Sequence, residues 1–198
     1  MMGKQYDLII IGAGPGGYVA AKKAAKLGMS VAIIDKGDVG GTCVNRGCIP
    51  TKALIHSATL YRDMAGCEKF GLFAEKVGFD LQKIYEYKSL SAATMRKELE
   101  REFAELGIVS VRGTAAIQND RRVRVAMEDG RTEYFTGKYI LIATGAKARM
   151  IDIPGMDLPG VMTSEELLLS NESRYPRLLI LGGGVIGIEL ATVFNALG

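Results

Sequence analysis

Apolar residues fill every position from Leu8 to Ile11 and again from Val31 to Ile34; Gly12 closes the first run and Asp35 the second. Unalternating runs of this length predict strands buried on both faces, as in a parallel sheet covered by other layers. Between them GAGPGG breaks the pattern, and Tyr18 to Leu27 reads as a helix. Residues 6–35 therefore predict one strand–helix–strand unit. Further on, Thr51 to Met64 is helix-like, a Gly-punctuated loop follows, and a long amphipathic segment runs to Leu106. Its Met95, Leu99, Phe103 and Leu106 recur at helical spacing among Arg, Lys and Glu, a stripe that predicts core packing. Short strands come next: IVSV, then VRVAM and TEYFT flanking the turn Glu128-Asp129-Gly130, then YILIAT. They predict a β-meander that rejoins the main sheet. Pro154, Pro159 and Pro176 punctuate a connector, and from Leu178 onward the succession of strand, glycine turn and helix returns.

Composition narrows the class. The chain has 198 residues, 48% apolar and 24% charged, enough for one core and part of a second. Its net charge of +3 is scattered. The densest basic group, Arg121, Arg122 and Arg124, reads as a solvated strand edge and not as a nucleic-acid surface. No apolar run approaches the roughly 18 residues of a membrane span. The early apolar run follows an aspartate and reads as a strand, not as a signal peptide. The expected compartment is the cytoplasm, where thiols are reduced, so a close cysteine pair points to catalysis or metal binding before a structural staple.

The first glycine turn places Gly12, Gly14 and Gly17 in the spacing Gly-x-Gly-x-x-Gly, with Pro15 and Gly16 between. Glycine is needed because the backbone must turn tightly and approach a pyrophosphate at the positive N-terminus of the helix. Asp35 closes the second strand, where a carboxylate can accept hydrogen bonds from ribose hydroxyls. Strand, turn, helix and acid together favour a dinucleotide site over a mere tight turn. The spacing recurs at Gly182, Gly184 and Gly187, with Gly183 inside it and Val185 and Ile186 after it. Two such turns suggest two dinucleotides, or one dinucleotide and an adenylate half. The fold class is thus α/β, a Rossmann-like three-layer domain with a parallel sheet and a β-meander over residues 1–150. Residues 151–198 form a connector and the start of a second Rossmann-like domain. The second unit lacks its following strand, and its last helix carries Val185, Ile186, Ile188, Leu190, Val193, Phe194 and Leu197. The expectation is a portion of a longer protein whose residues 178–198 either self-associate or are disordered.

Cys43 and Cys48 stand five positions apart in GGTCVNRGCIPTK. Zinc would need two more soft ligands, and Cys67 and the single His56 offer no paired spacing, so no metal site is expected. On a regular helix, residues five apart lie about 8.6 Å apart between Cα atoms, beyond the roughly 7 Å that a disulfide bridges. A bridged pair therefore excludes a regular helix through the segment. Gly47 relaxes the backbone, and Pro50 suits a helix that becomes regular only afterwards. Such a helix would bring its positive end near the sulfurs and lower a thiol pKa. Two ordinary buried cysteines remain the alternative.

The segment Gly40 to Lys52 resembles the redox-disulfide signature of the flavin-dependent pyridine nucleotide-disulfide oxidoreductases, and the resemblance covers the chain in order. It implies that GAGPGG holds the FAD pyrophosphate, that Asp35 and Lys36 lie at the adenosine ribose, and that Gly41, Thr42, Cys43 and Lys52 border the cofactor. It further implies that Gly113, Thr114 and Ala115 lie beside the adenine, that Ala143, Thr144 and Gly145 close the FAD region, and that GGGVIGIE, ending in Glu189, serves NAD. Within the family, IPTKALIHSA most resembles the dihydrolipoamide dehydrogenase branch. That branch oxidises dihydrolipoyl groups, borne on carrier proteins of 2-oxoacid dehydrogenase or glycine cleavage complexes, and works as a homodimer. The glutathione and mercuric reductase branches are the alternatives, as is a nucleotide-binding fragment that catalyses nothing. Arg46 departs from the pattern, where small apolar residues are usual. By the same resemblance Cys43 exchanges with the substrate thiol, Cys48 faces the flavin as a thiolate, and Lys52 pairs with Glu189 near the flavin. From the residues alone, Lys52 and Glu189 could equally be surface positions. The family's general base is a histidine near its C-terminus, contributed across the dimer; His56 is read as a packed helical residue instead.

Overall fold

The structure is a computed structural model and describes residues 4–119, 121–171 and 174–197. The chain divides into two compact units, residues 1–45 with 93–147 and residues 46–92 with 148–198.

The first unit holds β1 (Lys4–Ile11), α1 (Pro15–Lys26), β2 (Val31–Asp35), nearly all of α2 (Gly41–Arg46), the C-terminal part of α4 (Leu81–Glu105), β3 (Val109–Ile117), β4 (Arg122–Met127) and β5 (Thr132–Ile142). Strand β1 lies between β2 and β5, parallel to both, with Ile10 opposite Ile33 on one side and Leu141 on the other. β2 pairs in parallel with β3 from Ala32↔Val109 to Asp35↔Arg112. From Gly113 onward β3 pairs antiparallel with β4, whose other edge takes the first half of β5. Strands β3 and β5 thus each serve two sheets, which closes the pairing circuit. Gly113 marks the crossing: a Cβ there would stand 2.6 Å from Val125 Cγ1 and 2.7 Å from the Ala126 carbonyl oxygen.

Side-chain alternation along β1 and β2 separates two cores. Ile10, Val31 and Ile33 pack with Ala21 and Ala24 of α1 and Phe103 of α4, whereas Ile9, Ala32 and Ile34 meet Val123, Val125 and Phe135 of the meander. Helices, parallel sheet and meander form the three expected layers, and the unalternating apolar runs are explained by cover on both faces. Each buried Ile contributes about 1.5–3 kcal/mol. One expectation is corrected: TEYFT and YILIAT are not two strands but one, β5. Gly137 does not interrupt it, because its N–H still donates to the Arg121 carbonyl at 3.2 Å and its missing side chain leaves room for Ile9.

The second unit is helical. α3 (Cys48–Ala65), the N-terminal part of α4, α5 (Ser164–Leu169) and α6 (Val185–Leu197) enclose Leu54, Ala58, Ile84, Tyr85, Leu167, Leu168, Leu190, Val193 and Leu197. Helix α5 starts on a capping box: the Thr163 hydroxyl oxygen accepts from the Glu166 N–H, and the Glu166 carboxylate accepts from the Thr163 N–H. At its other end the buried Lys88 ammonium donates to the carbonyls of Leu168 at 2.6 Å and Ser170 at 2.9 Å.

Residues 178–181 were expected as a strand, but none forms there. A strand needs a hydrogen-bonding neighbour, and none lies beside this stretch among the described residues; Leu179 is 87% exposed. Of the two states expected for residues 178–198, self-associated or disordered, disorder is corrected for α6. Leu190, Val193 and Leu197 are covered by α3, α5 and α4, a set of contacts between segments distant in sequence, while Val185, Ile186 and Ile188 stay exposed. Residue 198 lies outside the described residues. Among the described residues no helix is long and apolar enough to cross a membrane.

Candidate active site

The C-terminal ends of β1, β2 and β5 lie side by side, the edge at which open α/β sheets bind their ligands. Gly12 follows β1 with φ +107°, and its N–H donates to the Ile34 carbonyl at 2.7 Å. A Cβ there would run into the Ala143 carbonyl oxygen, and one at Gly17 would run into the carbonyl of Gly12. These two glycines close the turn on itself. Gly41 approaches from the loop after β2, so near that a Cβ would stand 2.7 Å from Gly14 Cα, and the Gly40 N–H donates to the Ala13 carbonyl at 2.9 Å. Gly14 and Gly16, in contrast, leave space: the nearest atoms to a Cβ lie 4.0 and 3.8 Å away. Pro15 opens α1, no acidic side chain occupies the first turn, and Lys23 and Lys26 stand in the last. The positive end of α1 therefore faces the cradle with no acidic side chain in its own first turn, as suits an anionic pyrophosphate.

Asp35 ends β2 half-buried, with Oδ2 accepting from the Ala13 N–H at 2.6 Å and Oδ1 from the Gly37 N–H at 2.8 Å. The carboxylate thus stitches the end of β2 to the glycine turn and keeps lone pairs for a further donor. Lys36, Thr144 and Gly145 are exposed around the cradle, and Thr42 is half-buried. Gly113 answers to strand crossing, Thr114 is exposed, and Ala115 packs against the meander core.

In the second unit Gly182 repeats φ +107°, and a Cβ at Gly187 would stand 2.6 Å from the Gly182 carbonyl oxygen. The second turn therefore repeats the backbone closure of the first at the start of α6, with open space where Gly12 meets Ala143. Gly183, Gly184, Val185 and Ile186 are exposed there.

Cys43 in α2 and Cys48, the first residue of α3, are joined in a disulfide, and Cys67 is free. Gly47, with φ −147° and ψ −110°, separates the two helices, which resolves the conflict between a bridge and a regular helix. Beyond the break α3 is held by the buried Thr51, whose N–H and hydroxyl both donate to the Gly47 carbonyl, at 3.0 and 2.7 Å. Arg46 pairs with Glu165 at 3.1 Å. One turn into α3, Lys52 Nζ lies 2.7 Å from Glu189 Oε1. His56 is exposed, its ring centroid 6.4 Å from that of Tyr87, so the reading of a packed residue is corrected. Sequence reasoning missed Asn45, Asp38 and Arg96, which hold the turn carrying Gly41; Asn45 stands four residues after that glycine, and nothing local points to an arginine 51 residues away. Among the described residues no group of three or more His, Cys, Asp or Glu could hold a metal ion.

A dinucleotide cradle with a dithiol bridge on the helices that follow it defines the class of dinucleotide-dependent disulfide oxidoreductases. The chain belongs to the pyridine nucleotide-disulphide oxidoreductase family, which matches it over residues 6–198. It is 40% identical to a dihydrolipoyl dehydrogenase of Acholeplasma laidlawii, covering all of this chain and 58% of that protein. It is 36% identical to the mitochondrial dihydrolipoyl dehydrogenase of Dictyostelium discoideum, covering 98% of this chain and 40% of that one. A copper(II) complex of RclA, an HOCl-induced flavoprotein disulfide reductase from Escherichia coli, superposes with a TM-score of 0.79 at 33% identity, over all of this chain and 41% of that one. The chain thus spans about half the length of the curated relatives it matches, or less. The family implies FAD, and the open glycines, the helix end free of acid and the half-buried Asp35 suit such a group.

Proposed function

We propose that this chain is the N-terminal portion of an FAD-dependent, NAD-linked dihydrolipoyl dehydrogenase. Residues 1–150 would be the FAD-binding part, and 151–198 the connector and the start of the NAD-binding domain. The observation that carries the reading is the Cys43–Cys48 disulfide, formed two residues after the Gly41 that packs on the cofactor turn. A bridge in this position is a reactant, since it closes a ring of only a few residues and leaves Cys48 exposed at a helix N-terminus.

A thiolate of the dihydrolipoyl group attacks Cys43 Sγ, the Sγ–Sγ bond breaks, and Cys48 leaves as a thiolate. The second substrate thiolate then attacks the substrate sulfur of that mixed disulfide and releases Cys43. The substrate ends as a cyclic disulfide, two electrons rest on the cysteine pair, and two protons pass to solvent. The N-terminus of the 18-residue α3 stabilises the Cys48 thiolate. FAD, when bound, supplies the two-electron relay from the thiolates to NAD+. Gly12, Gly14, Pro15, Gly16, Gly17 and the Gly40-Gly41 turn would hold its pyrophosphate, Asp35 its ribose, and Lys52, fixed by Glu189, would present positive charge to its ring. The Gly182–Gly187 turn, built like the first, would take NAD. The protein would act in the cytoplasm as a homodimer, on lipoyl carriers of 2-oxoacid dehydrogenase or glycine cleavage complexes.

The test is to supply the FAD-loaded full-length protein, since the 198-residue portion alone is expected to be inactive, with dihydrolipoamide and NAD+ and follow NADH, with glutathione disulfide and NADPH in parallel. Turnover with dihydrolipoamide that Cys43→Ser abolishes is expected. Reduction of glutathione disulfide by NADPH, with no turnover of dihydrolipoamide, would overturn the reading.

A further inference from the structure

Asn45 stands inside the Gly40 to Lys52 segment with none of the roles assigned there, and Arg96 lies outside every motif, yet they join the disulfide segment to the cofactor cradle. Asn45 lies between the two cysteines. Its Nδ2 donates to the carbonyls of Gly41 at 2.9 Å and Val39 at 3.1 Å, and its Oδ1 accepts from Arg96 Nη1 at 3.1 Å. Arg96 stands on α4, and the same nitrogen is 3.5 Å from Asp38 Oδ2. The other Asp38 oxygen accepts from Arg112 at 3.0 Å. The carbonyls held by Asn45 bracket Gly40 and Gly41, with φ of +99° and +59°. Glycine takes either sign of φ with equal ease, so a turn of two left-handed glycines has little rigidity of its own. Its shape is imposed by the side chain that closes it.

We propose that Asn45 and Arg96 are positioning residues: through them α4 fixes both the Gly40-Gly41 turn against the cofactor turn and the α2 conformation in which Cys43 closes on Cys48. This rests on the function proposed above. Holding α2 in place keeps the two thiols at high effective concentration after reduction, which favours the disulfide. Releasing it favours the dithiol and loosens the cradle together, a coupled effect that a purely structural contact elsewhere in the fold would not produce.

The test uses three variants of the FAD-loaded full-length protein. Asn45→Asp keeps the shape and the acceptor for Arg96 but sets an oxygen against two carbonyls; Arg96→Met removes the clamp, and Arg96→Lys restores one donor. The Cys43–Cys48 equilibrium is measured in glutathione redox buffers by alkylation and mass spectrometry, and FAD release by fluorescence on dilution. Asn45→Asp is expected to shift the equilibrium about tenfold toward the dithiol and to speed FAD release about as much; Arg96→Met follows with a smaller change, and Arg96→Lys recovers most of it. Should Asn45→Asp not fold, the two Arg96 variants decide. Folded variants with both quantities within about twofold of the wild type, or with only a lower melting temperature, would overturn the proposal. A wild type that takes up no FAD would overturn the functional reading instead, and the thiol equilibrium, which needs no FAD, would still decide the role of Asn45 and Arg96.

Discussion

Lys52 Nζ and Glu189 Oε1 lie 2.7 Å apart although 137 residues separate them in the chain. Lys52 is 61% exposed, and an ion pair so open to solvent contributes only about 0–1 kcal/mol to stability. On the function proposed above, its value lies in where it holds the ammonium. Lys52→Met is expected to leave the unfolding free energy within about 1 kcal/mol while slowing dithiol-driven NAD+ reduction roughly tenfold or more at unchanged FAD content. Urea denaturation and stopped-flow absorbance check the two halves separately. A large loss of stability with normal electron transfer would make the pair a structural tie only.

Glycines that border the same cradle should respond very differently to a methyl group. Gly12 combines φ +107° with a Cβ path blocked by the Ala143 carbonyl, whereas Gly145 has φ +72° and nothing within 4 Å. Gly145→Ala should therefore cost only the left-handed penalty, about 1–2 kcal/mol. Gly12→Ala adds steric displacement of β5's end and should cost about 3 kcal/mol or more, with loss of bound FAD. Equal denaturation midpoints for the two variants would contradict this geometry.

The difference between these glycines shows what could be read from sequence. The first turn was legible because its spacing is dictated locally, by a backbone that must fold back within six residues and leave no room for side chains at Gly12 and Gly17. The layers were legible too, since Leu8 to Ile11 and Val31 to Ile34 have no polar face to offer. What could not be read depends on partners far along the chain. Leu178 to Leu181 has the composition of a strand and, among the described residues, no neighbour to pair with, α6 finds its cover on Leu54, Ala58 and Leu167, and Gly137 lies inside a strand because β4 and β1 take its two halves in turn. The clamp by Arg96 and the capping of α5 by Lys88 are likewise set by tertiary contact; both residues sat in a helix whose polar positions all looked solvent-facing.

Asp35 ties the end of β2 to the glycine turn through the N–H groups of Ala13 and Gly37. Hydrogen bonds to a charged acceptor are worth about 1.5–3 kcal/mol each. Asp35→Asn sets an amide NH2 or a weakened oxygen against these donors, so the turn should loosen even where the ribose contact survives. Titration of FAD into the apoprotein should show affinity reduced by about one to two orders of magnitude. An unchanged dissociation constant would mean that neither the turn nor the ribose depends on this carboxylate.

Lys88 gives a pH dependence with a definite sign. Its ammonium is buried with neutral carbonyl partners, Leu168 and Ser170, and burial pushes its pKa down to about 8 from 10.5. Tyr85, whose ring lies 4.9 Å from the ammonium, has its phenol pushed up from its ordinary value by burial and, less, by Tyr175. Below about pH 8 the lysine is protonated in both the folded and the unfolded chain, and its contribution is constant. Between about 8 and 10.5 the unfolded chain binds the proton and the folded chain does not, so this group raises stability as pH rises. The gain is limited to about 3 kcal/mol across the interval, because each pKa unit corresponds to about 1.4 kcal/mol. Lys88→Met keeps much of the volume and cannot titrate. Urea denaturation of both proteins at intervals from pH 7 to pH 10.5 should show the difference in unfolding free energy moving in favour of the wild type as pH rises through this window. At neutral pH the variant gives up two carbonyl partners at the end of α5 but no longer buries a charge, two effects of opposite sign and similar size. A difference that stays flat from pH 7 to 10.5 would show that the ammonium is as well solvated in the folded chain as in the unfolded one.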